Sequence, residues 1–232
     1  PSLNEIAHVK KHLKSWMKPQ RRGVDLKSFF GAKNRVMAQP LGVVGVIVPW
    51  NFPLFLSLGP LINIFGAGNR AMIKMSENSR HLTRLLSEQL GKYFPPEKLC
   101  FIDGEEGAGQ AFSKQPFDHL IFTGSGQTGS AVMAAAAQNL CPVTLELGGK
   151  SPAIVLDDFD LKTAVERIMY AKCLNAGQIC VTVDHVYVPA HKMDAFVQMA
   201  RDVVQKRYSG KDSTDYTAII DAKSFARLTH AL

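Results

Sequence analysis

The sequence predicts an α/β fold in which helices cover both faces of a parallel sheet. Three observations support this prediction: β-rich runs alternate with helical runs, several of the β-rich runs are almost wholly apolar, and a glycine-rich turn joins one of them to a helix. An almost wholly apolar strand is buried on both faces, as in a parallel sheet. The 232 residues, of which 46% are hydrophobic, suffice for one large core or two smaller ones.

The predicted elements follow one another along the chain. The opening segment is a basic amphipathic helix whose apolar stripe consists of Ile6, Val9, Leu13 and Trp16. Strands are predicted at 41–50, 70–75, 98–103, 119–124, 143–148, 152–157 and 184–189. Helices are predicted at 54–65, at 80–94 with Ser79 as N-cap, from residue 129 onward, at 160–177 with Asp160 as cap and Gly177 at the end, and at 192–207. The polar tail after Tyr208 has no clear pattern, and a break at 148–152 predicts a domain seam.

Charge and composition bear on the possible partners. The net charge is +7, and much of it lies in the opening helix, which leaves a membrane-surface or nucleic-acid role open beside the favoured solvated face over a core-facing stripe. No charge lies between Arg35 and Arg70, a length that could span a bilayer, but four prolines interrupt it. We therefore predict neither a membrane nor a nucleic acid as partner.

The four cysteines form neither a C-x-x-C pair nor a disulfide-dense pattern, so we expect a reducing, cytoplasmic setting. No signal peptide is visible, and because the chain begins with Pro1 rather than Met we expect a processed chain or a piece of a longer one. Cys180 follows a predicted helix end, where loops often carry catalytic groups. Cys100 in a strand, Cys173 in a helix and Cys141 in a connection favour a small buried hydrophobe, and that interpretation stays open for Cys180.

The glycine-rich turn has the spacing of a dinucleotide-binding motif. Gly124, Gly126 and Gly129 give G-x-G-x-x-G between a strand and a helix, and Glu146 lies 22 residues beyond Gly124. This pattern is typical of a Rossmann-like fold, in which the acidic residue binds a ribose. Glu146 lies inside an apolar strand, which is costly for a carboxylate unless it is paired, functional or at a sheet edge.

Polar residues also lie at the ends of two predicted strands. Asn51 is flanked by an aromatic residue and prolines, which is compatible with a simple turn-former. Lys74 and Glu77 end another strand, and their pattern alone predicts a surface ion pair.

Five segments occur in the order and spacing of the NAD(P)-dependent aldehyde dehydrogenases, which the chain resembles over nearly its whole length. They are PWNFP (49–53), IKMSE (73–77), FTGSGQTG (122–129), VTLELGGKSP (143–152) and NAGQICV (175–181). The stretch 39–77 and the opening KKHLKSWMKPQR are most similar to the coniferyl aldehyde dehydrogenase branch, which is similar to the class-3 enzymes for fatty and aromatic aldehydes. The resemblance implies the aldehyde dehydrogenase fold and oxidation of an aldehyde to a carboxylic acid, with NAD, or alternatively NADP, as cofactor.

The resemblance also implies a role for each matching residue. The nucleophile falls on Cys180, the general base on Glu146 and the oxyanion donor on Asn51. Burial that raises the pKa of Glu146 would help it to act as a base. The adenosine ribose is expected at Lys74 and Glu77, and the other cofactor-binding positions are Trp50, Gly124, Ser125, Gly126, Gly129 and Leu147. No metal site is implied.

The chain departs from the family pattern in two respects. Many members carry Thr at the position of Gly126 and a small apolar residue at that of Thr128, which bears on cofactor affinity and on the choice between NAD and NADP. Members are also longer, and a downstream E-x-F-G-P motif and an oligomerisation strand are missing here. We expect a dinucleotide-binding domain at 1–149, N-terminally incomplete, and the first part of a catalytic domain at 150–232, C-terminally incomplete, with a homodimer formed by the intact protein.

Three alternatives to an aldehyde dehydrogenase that forms the carboxylic acid remain. The chain could be a catalytically incomplete nucleotide-binding fragment, a CoA-acylating aldehyde dehydrogenase, or a basic membrane- or nucleic-acid-binding protein. Glu146 argues against the CoA-acylating class, because such enzymes generally lack the glutamate base.

Overall fold

The chain divides between Leu147 and Gly148 into two units, Pro1–Leu147 and Gly148–Leu232. The seam predicted from the sequence lies close by, between residues 149 and 150. The computed structural model describes residues 1–103, 107–208 and 216–231. None of the helices in these ranges is both long enough and apolar enough to cross a bilayer.

A helix and a short ribbon precede the sheet of the first unit. Helix α1 (Ser2–Trp16) carries the predicted apolar stripe, but only Val9 of that stripe is buried, and Ile6 and Trp16 are exposed. Strands β1 (Gln20–Arg22) and β2 (Asn34–Val36) pair antiparallel. All of their residues are exposed, so they lack the alternating apolar pattern that would have predicted them.

A parallel sheet of five strands forms the centre of the first unit. Its strands are β3 (Val43–Ile47), β4 (Arg70–Lys74), β5 (Leu99–Ile102), β6 (His119–Gly124) and β7 (Val143–Leu147). Their order is β5-β4-β3-β6-β7, and every neighbouring pair is parallel. Each strand overlaps a predicted one, which confirms the predicted α/β class. The chain leaves β3 first towards β4 and β5 and later returns to add β6 and β7 on the other side, so the order reverses between β3 and β6.

Helices cover both faces of this sheet, as predicted. They are α2 (Pro53–Gly66), α3 (Arg80–Gly91), α4 (Ala108–Ser113) and α5 (Gly126–Ala137). Successive side chains of a strand point to opposite faces. Val46 of β3 packs in one cluster with Leu61 of α2, whereas the next residue, Ile47, packs in another with Phe112 of α4 and Val132 of α5. The short α4 was not predicted, and α3 ends at Gly91 rather than at residue 94.

The second unit is also α/β. Strands β8 (Ser151–Ile154) and β9 (Val183–Tyr187) pair in parallel, and helix α6 (Leu161–Cys173) connects them. Asp160 caps α6 as predicted, because its Oδ2 accepts a hydrogen bond from the Thr163 backbone N–H at 2.8 Å. Helices α7 (Met193–Arg207) and α8 (Ala222–His230) follow. Helix α8 was missed, although its N-cap Asp221 is a start signal that the sequence offers.

Candidate active site

The predicted cofactor-binding residues of the first unit lie at the carboxyl ends of neighbouring strands. The strand registers place Lys74, Ile47, Phe122 and Leu145 in one row across β4, β3, β6 and β7. Trp50 and Asn51 follow this row after the end of β3, Gly124 follows it on β6, and Glu146 and Leu147 follow it on β7. Parallel α/β sheets bind ligands outside the carboxyl ends of their strands, where the strand order reverses. In this sheet that position lies between β3 and β6.

Asn51 lies between β3 and α2 in a half-buried position. Its Oδ1 accepts a hydrogen bond from the Phe52 backbone N–H at 3.1 Å, immediately before α2 begins at Pro53. The carbonyl end of the amide therefore serves the turn, and any hydrogen bond donated to a substrate oxygen would come from Nδ2.

Lys74 and Glu77 form an ion pair, but not the surface pair that their sequence pattern predicts. Lys74 is only 5% exposed, because it ends β4 between two neighbouring strands. Its Nζ donates to Glu77 Oε1 at 2.5 Å, and a Cβ placed on Gly109 of α4 would lie 3.8 Å from that Nζ. Burial alone would raise the pKa of Glu77, but the hydrogen bond from Lys74 and the adjacent positive charges hold this pKa below its usual value. Glu77 thus presents a carboxylate held in place by a buried ammonium group.

The glycine loop, residues 124–129, uses its three glycines unequally. A Cβ on Gly124 would lie 2.5 Å from Phe122 Cζ in a buried ring, so packing excludes a side chain at this position. A Cβ on Gly129 would lie 3.0 Å from Leu147 Cδ2, a tight contact with the end of a partly exposed side chain. A Cβ on Gly126 would meet no atom within 4 Å, and Gly126 is already the first residue of α5. The G-x-G-x-x-G spacing therefore contains one glycine that packing requires, Gly124, one in a tight contact, Gly129, and one that packing does not require, Gly126.

Ser125 caps the helix that follows this loop. Its Oγ accepts from the Thr128 backbone N–H at 3.2 Å and lies 2.9 Å from Thr128 Oγ1. The predicted helix start at residue 129 is thus three residues too late. The cap places the amino end of a 12-residue helix next to β6, where its unpaired N–H groups and dipole favour an anion such as phosphate.

Glu146 does not occupy the buried position that its apolar surroundings in the sequence suggest. It pairs with Thr123 across β6 and β7, but β7 is the edge strand of the sheet and Glu146 is exposed. The edge position is one of the alternatives that the sequence leaves open, and it removes the desolvation cost of the carboxylate. Leu147, at the end of the same strand, is 40% exposed.

The four cysteines differ sharply in environment. Cys141 and Cys173 are buried, Cys100 is half-buried and Cys180 is exposed. Burial raises the pKa of the Cys141 and Cys173 thiols, with a further contribution at Cys141 from the charge of Asp118. A buried thiol with a raised pKa is a poor nucleophile, so accessibility singles out Cys180.

The nucleophile loop, residues 174–180, has an unusual backbone. The predicted helix 160–177 is wrong at its end, because α6 stops at Cys173 and a tight turn covers residues 174–177. Asn175, Ala176 and Gly177 adopt φ angles of 52°, 53° and 75°, so two residues with side chains take the left-handed conformation in succession. Such residues store strain and cluster at functional sites. Asn175 and Gly177, on either side of Ala176, are the sequence signal that could have predicted this turn.

The backbone N–H of Cys180 accompanies its exposed thiol. In the part of the chain that the structure describes, no carbonyl or side chain accepts a hydrogen bond from this N–H. A thiol and a backbone donor on the same residue can attack a carbonyl carbon and stabilise the resulting oxyanion.

Comparison with known protein families identifies the family of this chain. A family model described as the aldehyde dehydrogenase family matches residues 3–232. The chain belongs to the aldehyde dehydrogenase family.

The relatives within the family include coniferyl aldehyde dehydrogenases. The chain is 54% identical to a probable coniferyl aldehyde dehydrogenase of Pseudomonas aeruginosa, over 98% of this chain and 48% of that protein. It is 47% identical to the coniferyl aldehyde dehydrogenase of a Pseudomonas species, over 98% of this chain and 47% of that protein. This aldehyde dehydrogenase chain therefore spans about half the length of the curated relatives it matches.

Solved structures show the same aldehyde dehydrogenase fold. Staphylococcus aureus AldH in a substrate-bound state superposes with a TM-score of 0.90 at 36% identity, covering 100% of this chain and 51% of that one. An aldehyde dehydrogenase of Mycobacterium tuberculosis complexed with NAD+ superposes with a TM-score of 0.88 at 30% identity, covering 99% of this chain and 48% of that one. These similarities confirm the predicted family and fold.

Within residues 1–103, 107–208 and 216–231, no group of three or more His, Cys, Asp or Glu side chains could hold a metal ion.

Proposed function

We propose that this chain carries the catalytic and cofactor-binding residues of an enzyme that oxidises an aldehyde to a carboxylic acid with NAD(P)+. The observation that carries the proposal is Cys180, the one exposed cysteine of four, on a strained loop beside its own available N–H. The coniferyl aldehyde dehydrogenases among its relatives support an aromatic aldehyde as substrate.

Cys180 is the proposed nucleophile. Its thiolate adds to the aldehyde carbon, so that a carbon–sulfur bond forms and the carbonyl oxygen becomes an oxyanion. The Cys180 backbone N–H and the Asn51 Nδ2 are the proposed donors to this oxyanion, and one such donor typically contributes about 3–4 kcal/mol to transition-state stabilisation. Loss of hydride from the adduct leaves a thioester on Cys180.

Glu146 is the proposed general base for the second half of the reaction. Its carboxylate takes a proton from water, whose oxygen adds to the thioester carbon. The carbon–sulfur bond then breaks, the carboxylic acid leaves, and the thiolate of Cys180 is restored. An exposed carboxylate supports this hydrolytic route over transfer of the acyl group to CoA, which needs no such base.

The first unit fits a nicotinamide dinucleotide, which when bound would supply the hydride acceptor. The amino end of α5 behind the Ser125 cap suits the pyrophosphate, and Gly124 and Gly129 keep the turn beside it narrow. Glu77, held as a carboxylate by Lys74, would accept hydrogen bonds from the adenosine ribose hydroxyls. Because the same carboxylate would repel a 2′-phosphate, we propose NAD as the cofactor rather than NADP. Trp50, Gly126 and Leu147 remain proposed cofactor contacts.

The test follows NADH at 340 nm with coniferyl aldehyde, benzaldehyde and hexanal. Cys180→Ala should abolish NADH formation, a loss of about 10³-fold or more, because the thioester can no longer form. Cys100→Ala, a matched change at the half-buried cysteine, should leave the rate within about two-fold, in the range expected away from the chemistry. NADH formation that persists undiminished in Cys180→Ala would refute the proposal.

A second candidate follows from the length of the chain. Because the chain spans about half of its relatives, it would on this hypothesis bind the cofactor but lack residues needed for turnover. Retained NAD+ binding, measured by calorimetry, without NADH formation for any aldehyde would support this incomplete fragment.

For the intact protein we propose a cytoplasmic homodimer without a nucleic-acid partner. Analytical ultracentrifugation with and without DNA would test the dimer and the absence of DNA binding.

A further inference from the structure

Gln178, two residues before Cys180, makes hydrogen bonds in two directions. Its side-chain Nε2 donates to the Asn175 carbonyl at 3.0 Å and to the Ala218 carbonyl at 3.2 Å. Its Oε1 accepts from the Ile220 backbone N–H at 3.0 Å. One amide thus bonds to a carbonyl and an N–H of the segment 218–220 while it also bonds to the nucleophile loop.

Backbone contacts of Gln178 reinforce the same loop. Its N–H donates to the Asn175 carbonyl at 3.0 Å, and its carbonyl accepts from Asn175 Nδ2 at 3.3 Å. Asn175 is also the first of the residues in the left-handed conformation. A strained conformation persists only when its surroundings over-determine it, and Gln178 supplies several of the bonds that hold this one.

The segment 218–220 lies 40 or more residues from Gln178 in the sequence. These hydrogen bonds therefore connect the nucleophile loop to a separate part of the chain. On the other side of Cys180, Thr182 Oγ1 donates to the Ala171 carbonyl of α6 at 3.0 Å. Cys180 is therefore held between two side chains that bond to distant backbone. Between these two fixed points, the Cys180 N–H has no partner among the described residues.

We propose that Gln178 is a positioning residue that holds the Cys180 thiol and backbone N–H in the orientation needed for attack on a carbonyl. The proposal deepens the proposed function, because it rests on Cys180 as the acyl-accepting nucleophile. Gln178 acts through the loop and does not itself touch the reacting atoms.

Two reagents separate orientation from simple thiol reactivity. With p-nitrophenyl acetate, the Cys180 thiolate adds to the ester carbonyl through an oxyanion, the carbon–oxygen bond breaks, and p-nitrophenolate leaves as the thioester forms. With iodoacetamide, the thiolate displaces iodide in one step and no oxyanion forms. Only the first reaction needs the N–H aligned with the thiol. Mass spectrometry of peptides assigns each label to Cys180 rather than to Cys100.

The test compares both rates in Gln178→Met, which keeps most of the side-chain volume but cannot make these hydrogen bonds. Acylation of Cys180 should fall about ten- to a hundred-fold, because small misplacements of reacting groups have effects of that size, whereas alkylation should change less than about three-fold. Gln178→Glu keeps the acceptor for Ile220 but turns a carboxylate towards two carbonyl oxygens, so acylation should fall at least as far. Gln198→Met, a matched change at an exposed position of α7, should alter neither rate.

The outcomes distinguish this proposal from the function on which it rests. Equal acylation-to-alkylation ratios in wild type and Gln178→Met, with circular dichroism showing a folded variant, would overturn the positioning role alone. Should Gln178→Met fail to fold, the same comparison in Gln178→Glu decides. If wild-type Cys180 is alkylated but never acylated, the proposed nucleophile fails, and the positioning role fails with it.

Discussion

The carboxyl edge of the sheet and the nucleophile loop hold their functional residues in opposite ways. At the sheet edge, Lys74 is part of a regular strand, its ammonium group is buried, and packing against Phe122 fixes the glycine loop. In the nucleophile loop, Asn175 and Ala176 have left-handed φ angles, and hydrogen bonds from Gln178 hold the chain in place.

The difference matches the two kinds of chemistry that we propose. A cofactor is bound by shape and fixed dipoles, which rigid strands and helix ends supply from their ordinary geometry. A nucleophile must present both its thiol and its N–H to one carbonyl group, and the strained turn before Cys180 is one way to obtain that arrangement. Substitutions should therefore affect stability and cofactor binding at the sheet edge, and stability and thiol reactivity at the loop.

The largest effect on stability should come from filling the space beside Gly124. In Gly124→Ala, the added Cβ would lie 2.5 Å from the buried ring of Phe122, so we expect the first unit to lose about 2–3 kcal/mol of unfolding free energy through overpacking. Thermal unfolding by circular dichroism would measure this loss. NAD+ binding should weaken in parallel, because the same turn leads into the proposed pyrophosphate site.

Gly126→Ala is the matched control for that change. Its added Cβ meets open space, and the position begins α5, so this variant should be neutral or more stable by up to about 1 kcal/mol. Equal losses in the two variants would contradict the assignment of Gly124 as a packing glycine.

The second effect concerns the ion pair of Lys74 and Glu77. Glu77→Gln leaves the buried ammonium without its counter-charge, and because Glu77 itself is half exposed we expect a loss of about 1–2 kcal/mol at neutral pH. The pKa of Glu77 lies below its usual value in the folded state, so its stabilising contribution is present at neutral pH and is lost as the pH falls below about 4. The difference between wild type and Glu77→Gln should accordingly shrink in acid.

Urea unfolding at a series of pH values would test this behaviour. Glu88→Gln, at an exposed position on α3, is the control and should stay within about 0.5 kcal/mol of wild type at every pH. A difference for Glu77→Gln that persisted unchanged down to pH 3 would show that the ionised carboxylate is not the source of stability.

The sequence predicts the sheet edge better than it predicts the nucleophile loop. Apolar runs such as 43–47 and 119–124 identify the parallel strands, because burial on both faces leaves a direct mark on composition. The exposed ribbon of β1 and β2 leaves no such mark and was missed. The burial of Lys74 was also missed, since a residue's neighbours in the sheet depend on strand order, which local pattern does not reveal.

The candidate site shows the same limit. Motif resemblance marks Cys180, and accessibility then separates it from three less exposed cysteines, a distinction that composition alone does not make. The sequence pattern predicts that this helix continues to Gly177, whereas α6 ends at Cys173. The bonds from Gln178 to Ala218 and Ile220 connect positions far apart in sequence, and only the folded chain brings them together.

The smallest effect tests the strain in the nucleophile loop. Ala176→Gly should raise the unfolding free energy of the second unit by about 0.5 kcal/mol, because glycine tolerates the left-handed conformation that costs alanine strain. Ala200→Gly, the same change inside α7, should instead lower it by about 1 kcal/mol. Denaturant unfolding of both variants supplies the comparison, and a loss in both would show that Ala176 is not strained. If the strain serves the chemistry, p-nitrophenyl acetate should acylate Cys180 more slowly in Ala176→Gly than in wild type, although this variant is more stable. In Ala200→Gly the acylation rate should not change.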